Sequence, residues 1–137
     1  MTPDPVSLNG ALLMVLEDEP IIAMALEDLL RDAGAKVLVA GCLAAACAIM
    51  DAHTIESAVL DVNIHGEKSY PVATALRERG IPFIFASGYG DIAHPPALAA
   101  VPTVPKPYDL EQITRALIMA QRIAGQETSG DGRCEAL

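Results

Sequence analysis

Residues 11–20 read ALLMVLEDEP. The run Ala11–Leu16 is unbroken and apolar, and it stops abruptly at Glu17, Asp18 and Glu19. A short apolar run bounded by turn signals fits a strand buried on both faces, as in a parallel sheet. Pro20 follows. From there Ile22, Leu26 and Leu29 recur at i, i+4 and i+7, with Glu27, Asp28, Arg31 and Asp32 on other faces. That period predicts an amphipathic helix. Pro20 opens it and Gly34 closes it, the usual asymmetry of helix ends.

The same strand-then-helix unit recurs along the chain. Lys36–Ala40 is a second short strand, and the Ala-rich stretch Leu43–Ala52 a second helix. Ser57–Leu60, SAVL, is a buried-type strand that ends at Asp61. Asn63–Lys68 reads as a polar loop with Gly66 inside it. Tyr70–Arg79 is helical, with Pro71 near its start and Gly80 beyond its end. Ile81–Ala86, IPFIFA, is a fourth strand ending at Ser87 and Gly88. Asp91–Ala100 is a short helix interrupted by His94, Pro95 and Pro96. Val101–Val104 is a weak fifth strand, and Pro102 argues for a sheet edge. Tyr108–Ala124 is a final amphipathic helix, with Leu110, Ile113, Leu117 and Ile123 as core contacts.

Strand and helix thus alternate five times within one domain, residues 11–124. Alternation implies a parallel sheet covered on both faces. Right-handed crossovers leave few topologies. The expected fold is α/β: a doubly wound five-stranded parallel sheet in the flavodoxin-like order 2-1-3-4-5, with a short or irregular fourth helix. Residues 1–10, with two prolines, read as a flexible leader, and residues 125–137 as a disordered tail.

Composition excludes several functions. The 137 residues carry a net charge of −9, whereas a nucleic-acid binder needs a basic footprint. No apolar run approaches the roughly 20 residues of a membrane span. No basic region precedes an apolar one at the N-terminus, so no secretory signal is expected. Cys42, Cys47 and Cys134 are odd in number and lack zinc spacing. Cys42 and Cys47, in their Ala-rich stretch, are expected to pack as small apolar groups. His53, His65 and His94 show no metal spacing and read as solvent-facing loop residues. Glu67 and Lys68 read as a solvated loop face. The cytoplasm is the expected compartment.

The strand ends carry the chemistry. Glu17 and Asp18 follow the first strand, Asp61 ends the third, Ser87 ends the fourth, and the fifth runs through Pro105 into Lys106. In a parallel sheet these are all carboxyl ends, and ligands bind outside that edge where the strand order reverses. Three converging carboxylates repel one another unless a hard dication joins them, and Mg²⁺ suits a few carboxylates with waters and phosphate oxygens. An aspartate can act as a nucleophile and form an aspartyl phosphate. Mg²⁺ on one side and Lys106 on the other would offset the charge of a phosphoryl group. Ser87 can donate a hydrogen bond to it, and Gly88 leaves room beside it. Taken singly, Asp61 is an ordinary strand-end residue, Ser87 a turn residue, Lys106 a surface lysine, and Glu19 a helix-start charge.

The motifs VLEDEP at Val15–Pro20, VLDVNIHGE at Val59–Glu67, FASG at Phe85–Gly88 and PKPY at Pro105–Tyr108 resemble those of a response-regulator receiver domain of bacterial two-component systems. The resemblance covers Ala11–Ala124. It implies that Asp61 is the phosphoacceptor, that Glu17 and Asp18 hold Mg²⁺, and that Asn63 gives the metal a backbone carbonyl. Ser87 becomes the switch hydroxyl and Lys106 the phosphate-pairing lysine. The Lys106–Pro107 peptide is expected to be cis. More narrowly, PFIFASGYG at Pro82–Gly90 resembles an alphaproteobacterial single-domain subgroup named for Phe-Ala-Thr-Gly-aromatic, with Ser87 in place of the threonine. The usual partners there are sensor histidine kinases of the HWE and related types, often in stress-response signalling.

Two departures stand out. The position three before the lysine, usually a switch aromatic, is Thr103, and Tyr89 is the candidate to take its place. The stretch from Ser87 to Lys106 is short and proline-broken, which weakens the usual output helix. The expected function is a stand-alone, non-enzymatic phosphoacceptor in a phosphorelay. Its output would come through binding an unknown downstream protein or draining phosphoryl groups. Two alternatives are a pseudo-receiver that binds without phosphorylation and an Asp-nucleophile phosphatase of the haloacid-dehalogenase type. The latter places its nucleophile on the first strand and adds a cap.

Overall fold

The computed structural model describes residues 8–87, 95–106 and 109–131, with 124–131 as backbone. Its elements are β1 (Leu12–Leu16), α1 (Pro20–Asp32), β2 (Lys36–Ala40), α2 (Leu43–Ala52), β3 (Ser57–Asp61), β4 (Asn63–Ile64), β5 (Glu67–Lys68), α3 (Tyr70–Glu78), β6 (Phe83–Ser87), a single 3₁₀ turn (Pro96–Leu98), β7 (Thr103–Pro105) and α4 (Leu110–Asp131).

Five strands form one parallel sheet in the order β2-β1-β3-β6-β7. This is the expected 2-1-3-4-5 order, with β4 and β5 set aside as a separate antiparallel hairpin. The strands most apolar in sequence are the interior ones. Every residue of β3 and of β6 is buried. Successive side chains of a strand point to opposite faces, so each interior strand feeds two cores. Leu13, Val15, Val59, Ile84 and Ala86 meet Leu26 and Leu30 of α1 and Ile113, Leu117 and Ala120 of α4. Met14, Leu16, Leu60, Phe83 and Phe85 meet Ala46 and Met50 of α2 and Val72, Ala73 and Leu76 of α3. Phe85 also makes edge-on contacts with Phe83 and Tyr70, ring centroids 5.7 Å apart in each case.

Several expectations change. The buried stripe of α1 is Ala23, Leu26 and Leu30, while Ile22 and Leu29 are only partly buried. The stripe is centred about one residue further on, with the small Ala23 in place of Ile22 on the buried side. In α4, Ala116 and Ala120 are buried beside Ile113 and Leu117, and Ile123 only partly. Cys42 and Cys47 are exposed rather than packed. Ala46 and Met50 turn α2's other side to the sheet. The polar loop Asn63–Lys68 is the β4–β5 hairpin. Helix α4 continues to Asp131, so residues 125–131 are helical where a tail was expected.

Of the fourth helix, the described part is the 3₁₀ turn at Pro96–Leu98. It is anchored by buried Leu98 and by Arg77 donating to the Ala97 carbonyl. Residues 88–94 lie outside the described residues, as do Pro107, Tyr108 and Cys134. Among the described residues, no helix is long and apolar enough to cross a membrane.

Candidate functional site

Strand order reverses between β1 and β3, and the register fixes what stands there. Leu16 pairs with Leu60, so Glu17 and Asp61 emerge side by side at the carboxyl edge. Asp61 in turn pairs with Ala86, and Ser87 with Pro105. The Lys106 N–H donates to the Ser87 carbonyl at 3.0 Å, which extends the ladder one step and brings the lysine to the same edge.

The lysine closes the cluster. Lys106 Nζ lies 2.9 Å from Glu17 Oε1 and 3.0 Å from Asp61 Oδ2. The Glu17 side chain is 0% exposed and that of Asp61 10%. Glu17 Oε2 also accepts from the Glu19 N–H at 3.2 Å, so both its oxygens are engaged. Asp18 is held differently, accepting at Oδ2 from the His65 backbone N–H at 2.8 Å. His65 Nδ1 stands 3.8 Å from that oxygen.

Burial pushes the Glu17 carboxyl above its ordinary range, against the opposing hydrogen bond from Lys106. At Lys106 burial disfavours the charge, yet hydrogen bonds to Glu17 and Asp61 outweigh it and raise the pKa. The two members of the pair therefore both shift upward. Glu17 is fully enclosed and responds to burial, whereas Lys106 draws on two carboxylates. At Asp18 burial works against ionisation, but hydrogen bonds led by the His65 N–H hold the carboxyl below its ordinary range.

Carboxylate oxygens of Glu17, Asp18 and Asp61 all lie within 4.8 Å of one another. Opposite ligands of octahedral Mg²⁺ lie about 4.2 Å apart, at roughly 2.1 Å from the ion each. An all-oxygen set of this spread fits one Mg²⁺ that keeps some of its waters, and a softer metal would want nitrogen or sulfur.

Glu17, Asp18, Asp61 and Lys106 are thus brought together. Ser87 is buried at the end of β6, next to the lysine in the ladder. Asn63 begins β4 two residues past Asp61, and its Oδ1 accepts from Lys68 Nζ at 2.8 Å. Thr103 opens β7, exposed and opposite Phe85 rather than at the acidic cluster. Tyr89, Gly88 and the Lys106–Pro107 peptide lie outside the described residues. Sequence reasoning missed His65, whose role here belongs to its backbone. The His-Gly pair between short polar segments was the available sign of a hairpin.

The response regulator receiver domain family matches this chain over residues 13–118. The chain belongs to that family. Receiver domains are the phosphoacceptors of two-component signalling, and they interact with histidine kinases or phosphotransfer proteins. This receiver is 38% identical to SdrG from Sphingomonas melonis Fr1, solved in solution, over 84% of this chain and 98% of that one, with a TM-score of 0.71. SdrG has also been solved in a BeF3-activated conformation, given as from Pseudomonas melonis Fr1. That structure is again 38% identical, with 80% and 95% of the two chains covered and a TM-score of 0.68. A receiver domain protein from Clostridium thermocellum has a TM-score of 0.70 at 18% identity, covering 85% of this chain and 98% of that one, and shares the fold. Among curated proteins none matches.

Proposed function

We propose that this receiver is a phosphorelay component, phosphorylated on Asp61 by a histidine kinase with Mg²⁺ present. The observation that carries the proposal is Lys106 Nζ, bonded to both Glu17 and Asp61 where the strand order reverses. A cation joins the nucleophile to its neighbours at the edge where such sheets bind ligands.

Glu17, Asp18, Asp61 and the Asn63 carbonyl would hold the metal. Bound Mg²⁺ supplies positive charge against the phosphoryl oxygens. The protein's own groups do the rest. An Asp61 carboxylate oxygen attacks the phosphorus of a phosphohistidine. The P–O bond forms as the P–N bond breaks, and the leaving imidazole keeps the bonding pair and takes up a proton. Lys106 exchanges its contact with Asp61 for one with a phosphoryl oxygen, and the Ser87 hydroxyl donates to another. Drawing Lys106 and Ser87 toward the phosphoryl group pulls on the ends of β6 and β7, a local charge event that biases a two-state element. Tyr89 and Thr103 are the residues through which that switch would be tuned.

SdrG, 38% identical, takes up a BeF3-activated conformation. Beryllofluoride mimics a phosphoryl group on a carboxylate, which supports the same chemistry here. The FASG motif favours a kinase of the HWE type as the donor. Output would come from binding another protein or from acting as a phosphate sink, and the cytoplasm is the compartment that suits both. Radiolabelled phosphotransfer from an autophosphorylated HWE kinase tests the reading. Label should pass to the wild type and not to Asp61→Asn. Transfer to both would contradict it.

A further inference from the structure

Asp18 lies in the short bend between β1 and α1, and its side chain is 19% exposed. Within the bend, the Asp18 backbone and the Glu17 side chain hydrogen-bond the Asp18 carboxyl, but a short bend has no ladder of its own to hold a side chain in place. The His65 N–H reaches Oδ2 from 47 residues away in sequence, at 2.8 Å. His65 sits at the tip of the β4–β5 hairpin, where Asn63 pairs with Lys68 and Ile64 with Glu67. His65 and Gly66 are therefore a two-residue turn, with φ of +50° and +81°. Positive φ at both central positions is the mark of a type I′ turn. It is uncommon for a residue with a side chain, and histidine is among those that tolerate it.

A hairpin of two-residue strands does not hold its shape alone in water. This one is nailed down. Ile64 is 1% exposed and packs in the core with Leu60 and Val62. The Ser69 N–H donates to the Val62 carbonyl at 2.9 Å, closing the base of the hairpin. Lys68 Nζ bonds Asn63 Oδ1 across it. The imidazole takes no such part. It is 65% exposed, and its Nδ1 at 3.8 Å is beyond hydrogen-bond range of Asp18.

We propose that the His65–Gly66 turn is a positioning device for Asp18: the His65 backbone N–H holds Oδ2 and so fixes the carboxylate in its place beside Glu17 and Asp61. The inference rests on the reading of the acidic cluster as a Mg²⁺ site. Partners of this kind, bonded to a ligand rather than to the metal, typically affect metal affinity by about 10- to 100-fold.

The test is Mg²⁺ titration followed by NMR, on the wild type, Gly66→Ala and His65→Asn, with thermal melts beside it. A Cβ at Gly66 meets nothing within 4 Å, so the alanine acts through the strained backbone alone. Gly66→Ala should bind Mg²⁺ about 10-fold more weakly. His65→Asn, which keeps the N–H and tolerates positive φ, should bind within about 2-fold of wild type. Equal affinity in Gly66→Ala and wild type would overturn the proposal. So would an equal loss in His65→Asn, which would assign the effect to the imidazole. Hydrogen exchange decides independently if Gly66→Ala does not fold. The His65 amide should exchange slowly in the wild type and faster in Asp18→Ala, and equal rates would overturn the hold. A wild type that binds no Mg²⁺ would count against the proposed function, and the exchange measurement would still judge the turn.

Discussion

Lys106 Nζ lies 2.9 Å from Glu17 Oε1, and the Glu17 side chain is wholly enclosed. A carboxylate in that position is tolerable only because a cation is bonded to it. Removing the cation by Lys106→Met leaves Glu17 and Asp61 facing each other. Breaking a buried pair from one side costs about 3 kcal/mol. Urea denaturation without Mg²⁺ should show a loss of that order. Added Mg²⁺ should recover more stability in the variant than in the wild type, since it then supplies the missing charge. An unchanged or raised midpoint would contradict this account of the pair.

Asp61→Asn leaves the Glu17–Lys106 bond in place and removes one repelling charge. Its stability should stay within about 1 kcal/mol of wild type. A much larger loss in the same denaturation experiment would mean that Asp61, not Glu17, is the main anchor of the lysine.

Acid should weaken Mg²⁺ binding in a window that Glu17 sets. Metal binding requires the ionised carboxylate. Burial raises Glu17 above its ordinary 4.5, so protons compete with Mg²⁺ there at a higher pH than at an ordinary glutamate. Asp18 is lowered from 3.8 and remains ionised there. As pH falls from 7 toward 4.5, Mg²⁺ affinity should therefore begin to fall in the wild type before an ordinary glutamate would titrate. In Glu17→Gln it should be weaker but flatter. Parallel slopes by calorimetry would sink this assignment.

Alkaline pH should act through Lys106. Its pKa is raised above 10.5 in the fold, so its stabilising contribution is whole below that value. It is lost as pH climbs through the raised folded pKa. Lys106→Met should lack that alkaline decline, and denaturation midpoints from pH 9 to pH 12 would show it.

Much of this was legible in the sequence, and the exceptions have physical reasons. The strands LLMVL, SAVLD and FIFAS lie in the sheet interior, where burial on both faces forces unbroken apolar runs. The cluster was legible because a parallel sheet delivers every strand end to one edge. Glu17, Asp61 and Lys106 needed only the strand order to be brought together. The facing of α2 was not legible. LAAACAIMDA is small and apolar nearly all round, so its pattern does not say that Cys42 and Cys47 turn outward. The β4–β5 hairpin was missed because two-residue strands carry no periodicity. The role of His65 was hidden because a backbone N–H has no letter in the sequence.

The helix-closing glycines offer a further check on packing. Gly34 and Gly80 both have positive φ, +96° and +73°. A Cβ at Gly34 would stand 2.5 Å from Asn9 Oδ1 and 3.0 Å from the Asn9 Cα, whereas one at Gly80 meets nothing within 4 Å. Gly80→Ala should cost about 1 kcal/mol from backbone strain alone. Gly34→Ala should cost about 2–3 kcal/mol, because the Asn9 backbone must also shift. Equal losses in thermal melts would mean that the Asn9 segment yields freely.

The central claim is that Asp61 accepts a phosphoryl group with the help of Mg²⁺. Its most direct test is intact-protein mass spectrometry after incubation with acetyl phosphate, with and without Mg²⁺, beside Asp61→Asn. A single phosphoryl adduct that requires both Mg²⁺ and Asp61 is the expected result. An adduct that persists in Asp61→Asn, or forms equally without Mg²⁺, would contradict it.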